Sequence, residues 1–117
     1  MKIKILGVTL DMELEELANP DVAEKYERDI AKTVEVIHES MECETGSEGI
    51  RKQCQAIIDA FTDIFGEKAA KDVLGERTNL FRCLDAFEEF TSIYPKHVTP
   101  AIEKRAEKYS RSRIDGR

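Results

Sequence analysis

No stretch of the chain approaches the roughly 18 consecutive apolar residues that cross a bilayer, so a membrane-spanning helix is not expected. The opening run Met1 to Gly7 is basic and then apolar. It is too short for a signal peptide and acidic residues follow at once, so the expected location is the cytoplasm. Cysteine is scarce: Cys43, Cys54 and Cys83 form an odd set without Cys-x-x-Cys spacing, which fits reduced thiols rather than a disulfide frame or a zinc site. Gly and Pro number only 6 and 3, too few for a disordered or fibrous chain. An excess of basic charge is missing as well. With 18 basic against 24 acidic side chains the net charge is -6, which argues against a chain-wide nucleic-acid surface.

What remains is a charge-rich chain of 117 residues, 41% hydrophobic and 36% charged, long enough for one domain with a modest core (residues 1–117). Ile3 and Ile5 alternate with Lys2 and Lys4, and Val8, Leu10, Met12 and Leu14 alternate with Thr9, Asp11 and Glu13. Leu6-Gly7 lies between the two runs as a tight turn. This is the period-2 signature of a β-hairpin over 2–14, which is marginal alone and must pack its apolar side on helices.

Helical signals follow. Asn19, Pro20 and Asp21 form a cap, a first-position proline and a dipole-matched acid. Val22, Tyr26, Ile30, Val34, Ile37 and Met41 then recur at spacings of four and three, predicting a helix over 20–43. After Gly46 and Gly49, the run Ile50, Cys54, Ile57, Ile58, Phe61, Ile64 and Phe65 predicts a second helix over 47–65, stopped by Gly66. A short helix over 67–74 closes at Gly75. A further helix over 79–94 carries Leu80, Cys83, Leu84, Phe87 and Phe90 inward and ends at Pro95. Thr99-Pro100 opens a last helix over 100–112 with only Ile102, Ala106 and Tyr109 as an apolar stripe, and 113–117 reads as a flexible tail. The expected class is mainly α, an N-terminal β-hairpin packed on a bundle of about four to five helices.

Charge is unevenly distributed. Residues 1–50 hold 5 basic and 13 acidic side chains, whereas residues 101–117 hold 6 and 3. The front is therefore acidic and the end basic. Lys104, Arg105, Lys108, Arg111, Arg113 and Arg117 read either as solubilising charge or as an electrostatic contact to an acidic partner, such as the acidic front of a second copy.

Catalytic and metal motifs do not form. Glu35-x-x-His38 has the spacing of a di-iron helix, but the second copy and further carboxylates that such a site needs are missing, and His97 does not follow a Glu at that spacing. His38-Glu39 begins like a zinc-protease helix, yet position 42 is Glu42. Asp59 to Ala70 has its glycine at the wrong place for a calcium loop and ends on Ala70. Gly46 to Lys52 lacks the Gly-Lys-Ser/Thr ending of a phosphate loop. Cys54 and Cys83 fall on apolar faces and read as core. No metal or other cofactor is expected.

The stretch Phe61 to Leu80, with Phe65-Gly66 and Leu74-Gly75, followed by Cys83-Leu84-Asp85-Ala86-Phe87-Glu88-Glu89-Phe90, resembles a family of small proteins from phages and prophages of Gram-positive bacteria. So does the front, Gly7 to Asp11 and Asp21 to Glu27. Proteins of this kind look like small tail assembly chaperones. The resemblance implies a non-enzymatic, mainly helical protein of the bacterial host cytoplasm that holds an elongated helical client such as the tape-measure protein, with no catalytic residues to carry over. A small structural or adaptor phage protein without a client is the alternative. A nucleic-acid-binding regulator using the basic C-terminus is a weaker one.

Phenylalanines of the second and fourth helices can serve either core packing or a groove for a client helix. Phe81 is the odd member, about 100° around the helix from Leu80 and so toward the edge of the core face. Candidate interaction residues are thus Ile3, Ile5 and Phe81, with Arg105, Lys108, Arg111 and Arg113 for charged contacts, and self-association is expected.

Overall fold

Alternating side chains at the N-terminus give two strands whose inner residues need a cover, and the helices supply it. The computed structural model describes the backbone of residues 1–115 and the side chains of residues 1–109. Strand β1 (Lys2–Ile5) pairs antiparallel with β2 (Val8–Glu13), with Ile5 opposite Val8, Lys4 opposite Thr9 and Lys2 opposite Glu13, so β2 bulges between the last two pairs. Leu6 and Gly7 form the two-residue turn with φ of 50° and 79°. Positive φ at both positions is the type I′ pattern, whose twist matches the strands. Leucine at that first position is unusual, because its Cβ crowds the backbone there.

A short 3-10 segment (Leu14–Ala18) leads into α1 (Pro20–Ser40), capped by the Asn19 side chain, which accepts from the Asp21 N–H. Helix α2 (Gly46–Phe65) is capped by Thr45, which accepts from the Glu48 N–H at 3.2 Å. The two helices form an antiparallel hairpin. At its closed end Gly49 lies against Ser40: a Cβ on Gly49 would come within 2.9 Å of the Ser40 carbonyl oxygen. Helices α3 (Glu67–Leu74) and α4 (Leu80–Thr91) follow. The fold is mainly helical with an N-terminal antiparallel hairpin, the expected class.

The core is one cluster in which the hairpin meets α2, α3 and α4, joined by Leu17, Tyr26, Ile93 and Val98. At its centre the Phe90 ring lies 4.8 Å from Tyr26 and 4.9 Å from Phe61, and Tyr26 lies 4.7 Å from Tyr94. Both tyrosine hydroxyls donate to backbone: Tyr26 to the Phe90 carbonyl and Tyr94 to the Leu17 carbonyl. Burial also pushes the Tyr26 hydroxyl well above its ordinary pKa, so it remains a donor.

Three expectations are corrected. Ile3 and Ile5 are buried in the core and do not face a partner, because the alternation that exposes Lys2 and Lys4 turns the isoleucines onto the helices. The inner line of α1 runs through Tyr26, Ile30, Thr33, Ile37 and Ser40 and leaves Val34 and Met41 exposed. Thr33 and Ser40 tolerate burial because their hydroxyls donate to the carbonyls of Asp29 and Ile37, both at 2.7 Å. Third, Pro95 does not end the helical path. Ile93 and Thr99 keep right-handed helical backbone, and between them Tyr94–Val98 forms a π turn closed by the Thr99 N–H on the Tyr94 carbonyl. Wider i to i+5 bonding accommodates prolines, which lack an N–H and crowd the preceding turn. Helical bounds elsewhere differ by a few residues: α1 stops at Ser40 short of 43, and α4 starts one residue later than 79.

Helix α5 (Thr99–Asp115) continues beyond the expected end at 112, into the stretch expected as a flexible tail; Gly116 and Arg117 lie outside the described residues. It packs on the π turn, and every described side chain from Ile102 to Tyr109 is exposed. The molecule measures 67 × 27 × 21 Å with a radius of gyration of 17.3 Å. A compact chain of this length would have a radius of about 13 Å. α5 is an arm.

Candidate functional site

Three surfaces carry what chemistry the chain offers. The first is built around Phe81. Asn79 caps α4, its Oδ1 accepting from the Phe81 N–H at 3.0 Å and the Arg82 N–H at 3.3 Å. The Arg82 guanidinium, through Nε, donates to the Val73 carbonyl at 2.7 Å and ties the start of α4 to the end of α3. This fixes the first turn of α4 with the Phe81 side chain 77% exposed, while Phe61, Phe87 and Phe90 are buried and Phe65 is half-buried. The edge position that the helical angle gives Phe81 is the position it occupies.

Thr78, just before that turn, and the α2 residues Ser47, Ile50, Arg51, Cys54, Gln55 and Ile58 line a shallow groove of about 330 Å³. Ile50, Cys54 and Ile58 recur every fourth residue along one side of α2, and Ile50 is 47% exposed. Phe81, a separate exposed aromatic, is not among the residues of this groove, whose lining mixes polar and apolar side chains with Ile50 as its exposed apolar one. Cys54 and Cys83 are buried together beneath it, and burial followed by the nearness of Cys54 pushes the Cys83 thiol up to about 12. Such thiols pack as small apolar groups and are poor nucleophiles.

The second surface is the α5 arm. Ile102 is 53% exposed and Tyr109 76%, with Lys104, Arg105 and Lys108 around them. The Arg105 side chain turns back to donate to the Ala101 carbonyl at 3.0 Å. The side chains of Arg111 and Arg113 lie outside the described residues.

The third is the groove between α1 and α2, about 530 Å³, lined by Asp29, Asp59 and Asp63, by Lys32 and Lys52, and by Thr33, Gln55, Val36, Ala56 and Ala60. Lys25 pairs with Asp63 at 3.1 Å, and Gln55 donates to Asp59 at 2.8 Å. One oxygen of Asp29, Oδ2, is buried and receives no hydrogen bond. Burial, then the hydrogen bond and charge of Asp63, raise the Asp29 carboxyl to about 6. The hydrogen bond to Asp29 and the nearby Lys25 hold Asp63 below the usual carboxylate range. Below about pH 6 the pair therefore holds a proton, and it resides on Asp29. The sequence did not single this pair out: the two residues are 34 positions apart, and only the antiparallel register of α1 and α2 brings them together.

Among the described residues no helix is long and apolar enough to cross a membrane, and no group of three or more histidine, cysteine, aspartate or glutamate side chains is arranged to hold a metal ion. Residues 6–117 match the model of a family of unknown function (DUF6673). No curated protein and no solved structure matches the chain.

Proposed function

We propose that the chain, which belongs to this family of unknown function, is a non-enzymatic phage tail assembly chaperone-like protein of the bacterial host cytoplasm. It holds an elongated helical client such as the tape-measure protein and also associates with itself. The observation that carries the reading is Phe81, an aromatic side chain 77% exposed on a helix start that two capping bonds and the Arg82 tie hold in place. Covering a phenylalanine side chain is worth about 1.5–3 kcal/mol, so a client that seats on Phe81 gains a substantial anchor.

Support comes also from the sequence resemblance, which runs through the Phe61 to Phe90 region that contains Phe81. A holding protein needs apolar surface that its own fold leaves open, and a client that displaces water from it without chemistry. Coexpression with a phage tape-measure protein tests the reading. The client is expected to be soluble and to co-purify with this chain, and to do neither when Phe81 is replaced by Asp. A client equally soluble without the chain, which never co-purifies with it, overturns the reading.

A further inference from the structure

Apart from these surfaces, a groove of about 470 Å³ runs between strand β1 and the path from α4 into the π turn. Lys2 and Lys4 from the outer face of β1 line it together with Ile3 from the inner face, so it follows the edge of the strand. The sheet has only two strands, and that edge pairs with neither. Ile5 and Val8 flank the tight turn as a hydrogen-bonded pair, so in the alternation of an antiparallel ladder the N–H and C=O of Lys4 point away from β2. Lys2 is placed the same way, because the Leu14 N–H reaches past the Lys2 and Glu13 pair to the Met1 carbonyl at 2.8 Å. The edge therefore offers the backbone donors and acceptors of both lysines to an added strand.

The side chains around the groove select what that strand carries. Ser92, Ile93, Lys96 and His97 line it from the helical side. Some of its charge is already matched: the N-terminal amine lies 2.8 Å from Glu13 and Lys2 lies 2.9 Å from Asp11. Glu89 is the one acid of the lining among the described residues, and its carboxylate accepts from the Leu6 N–H. Lys4 and Lys96 have no ion-pair partner among the described residues. Their charges outnumber that of Glu89, so the groove is basic within a chain whose net charge is -6. A second copy of β1 is a poor occupant, since lysine would stand against lysine across the new pair. We infer that the open edge of β1 takes an extended acidic segment of a partner protein as a third strand, its backbone bonded to Lys2 and Lys4 and its carboxylates set against the Lys4 and Lys96 ammonium groups. β1 has four residues, so the segment matched to it is about 13 Å long. The isoleucine face stays on the helices, and the edge alone makes the contact.

This inference goes beyond client capture at Phe81 and does not require it, because it uses a different surface and a different readout. The probe is an end-blocked peptide of eight residues that alternates glutamate with valine, added to the full-length chain labelled with nitrogen-15. Binding is expected to shift the amide resonances of Lys2, Lys4, Lys96 and His97 and to slow hydrogen exchange at Lys2 and Lys4, whose amides an added strand covers. Lys4→Glu with Lys96→Glu is expected to weaken binding by about tenfold or more at an unchanged melting temperature. Should that variant be destabilised, Lys96→Glu alone replaces it, since the Lys96 side chain is exposed. The same peptide with lysine in place of glutamate, and the glutamate peptide N-methylated at every residue, are both expected not to bind. Absence of these shifts at millimolar peptide overturns the inference. So does equal binding of the lysine peptide, equal binding to the charge-reversed variant, or equal binding of the N-methylated peptide, the mark of charge attraction without strand pairing.

Discussion

The backbone N–H of Leu6 donates to the Glu89 carboxylate at 3.0 Å, so the turn of the N-terminal hairpin is held by a residue 83 positions further along the chain. Leu6 needs that support, because its φ of 50° is a conformation that leucine adopts at a cost. Glu89→Ala is expected to lower stability by about 1 kcal/mol, and Glu89→Gln, which keeps an acceptor oxygen, by less. Chemical denaturation at constant slope checks the pair of values. Equal losses for Ala and Gln would show that the charge of Glu89, not its hydrogen bond, holds the turn.

The closed end of the α1–α2 hairpin depends on the missing side chain of Gly49. A methyl group there would lie 2.9 Å from the Ser40 carbonyl oxygen, which belongs to helix backbone and has little freedom to move. Gly49→Ala is therefore expected to destabilise by about 1–3 kcal/mol, although alanine favours helix elsewhere. Gly46→Ala is the control, since nothing lies near its Cβ, and it should be neutral or slightly stabilising. Thermal unfolding of both variants distinguishes them.

The Asp29–Asp63 pair makes stability depend on pH. Asp29 binds its proton more tightly in the folded chain, with a pKa of about 6 against an ordinary value of 3.8. Between those two values the native state holds more protons than the unfolded one, so the contribution from Asp29 is full below about 3.8 and is lost as pH rises through about 6. Asp63 shifts the other way, and its contribution is lost only as pH falls below the ordinary carboxylate range. Asp29→Asn replaces the proton with an amide donor to Asp63. It is expected to raise the melting temperature at pH 7 and to change it little at pH 4.5. A variant that gains nothing at pH 7 would contradict the shared proton.

The tyrosine hydroxyls tie the core to backbone that the helices leave partly open. Tyr26→Phe keeps the rings packed but removes the bond to the Phe90 carbonyl, at an expected cost of about 1 kcal/mol. Tyr94→Phe removes the matching bond to Leu17. Because Tyr26 and Tyr94 touch, their ring centres 4.7 Å apart, the double variant should deviate from the sum of the single ones. A double-mutant cycle in denaturant measures the deviation, and strict additivity would argue against coupling.

Much of the fold was legible because local rules and tertiary packing agreed. The Asn19-Pro20 start, the Gly66 and Gly75 breaks and the strand alternation are written in residues whose conformational preferences act over a few positions. The misread parts are those where a longer-range effect decides. The alternation of Ile3 and Ile5 fits packing on helices or contact with a partner, and only the position of the helices, which bury both, decides between them. Hydrophobicity alone favours Val34 and Met41 over Thr33 and Ser40, and the helix carbonyls that satisfy the two hydroxyls reverse that order. Pro95 carries the local signal of a helix stop, whereas a π turn is specified by the geometry around it rather than by any one residue. Of the site, the edge position of Phe81 followed from helical angle alone. The acidic pair in the α1–α2 groove needed the register between two helices, which no single-helix pattern contains.

The account turns on Phe81 as an anchor for a partner rather than as part of the core. Phe81→Asp should leave stability within about 0.5 kcal/mol, as for a surface substitution that breaks no packing. The most direct measurement is quantitative co-purification of the tape-measure protein with the wild-type chain and with this variant, at equal expression and equal melting temperature. The account predicts that the client is retained by the wild type and lost from the variant. Equal retention by both, or no retention by either, would contradict it.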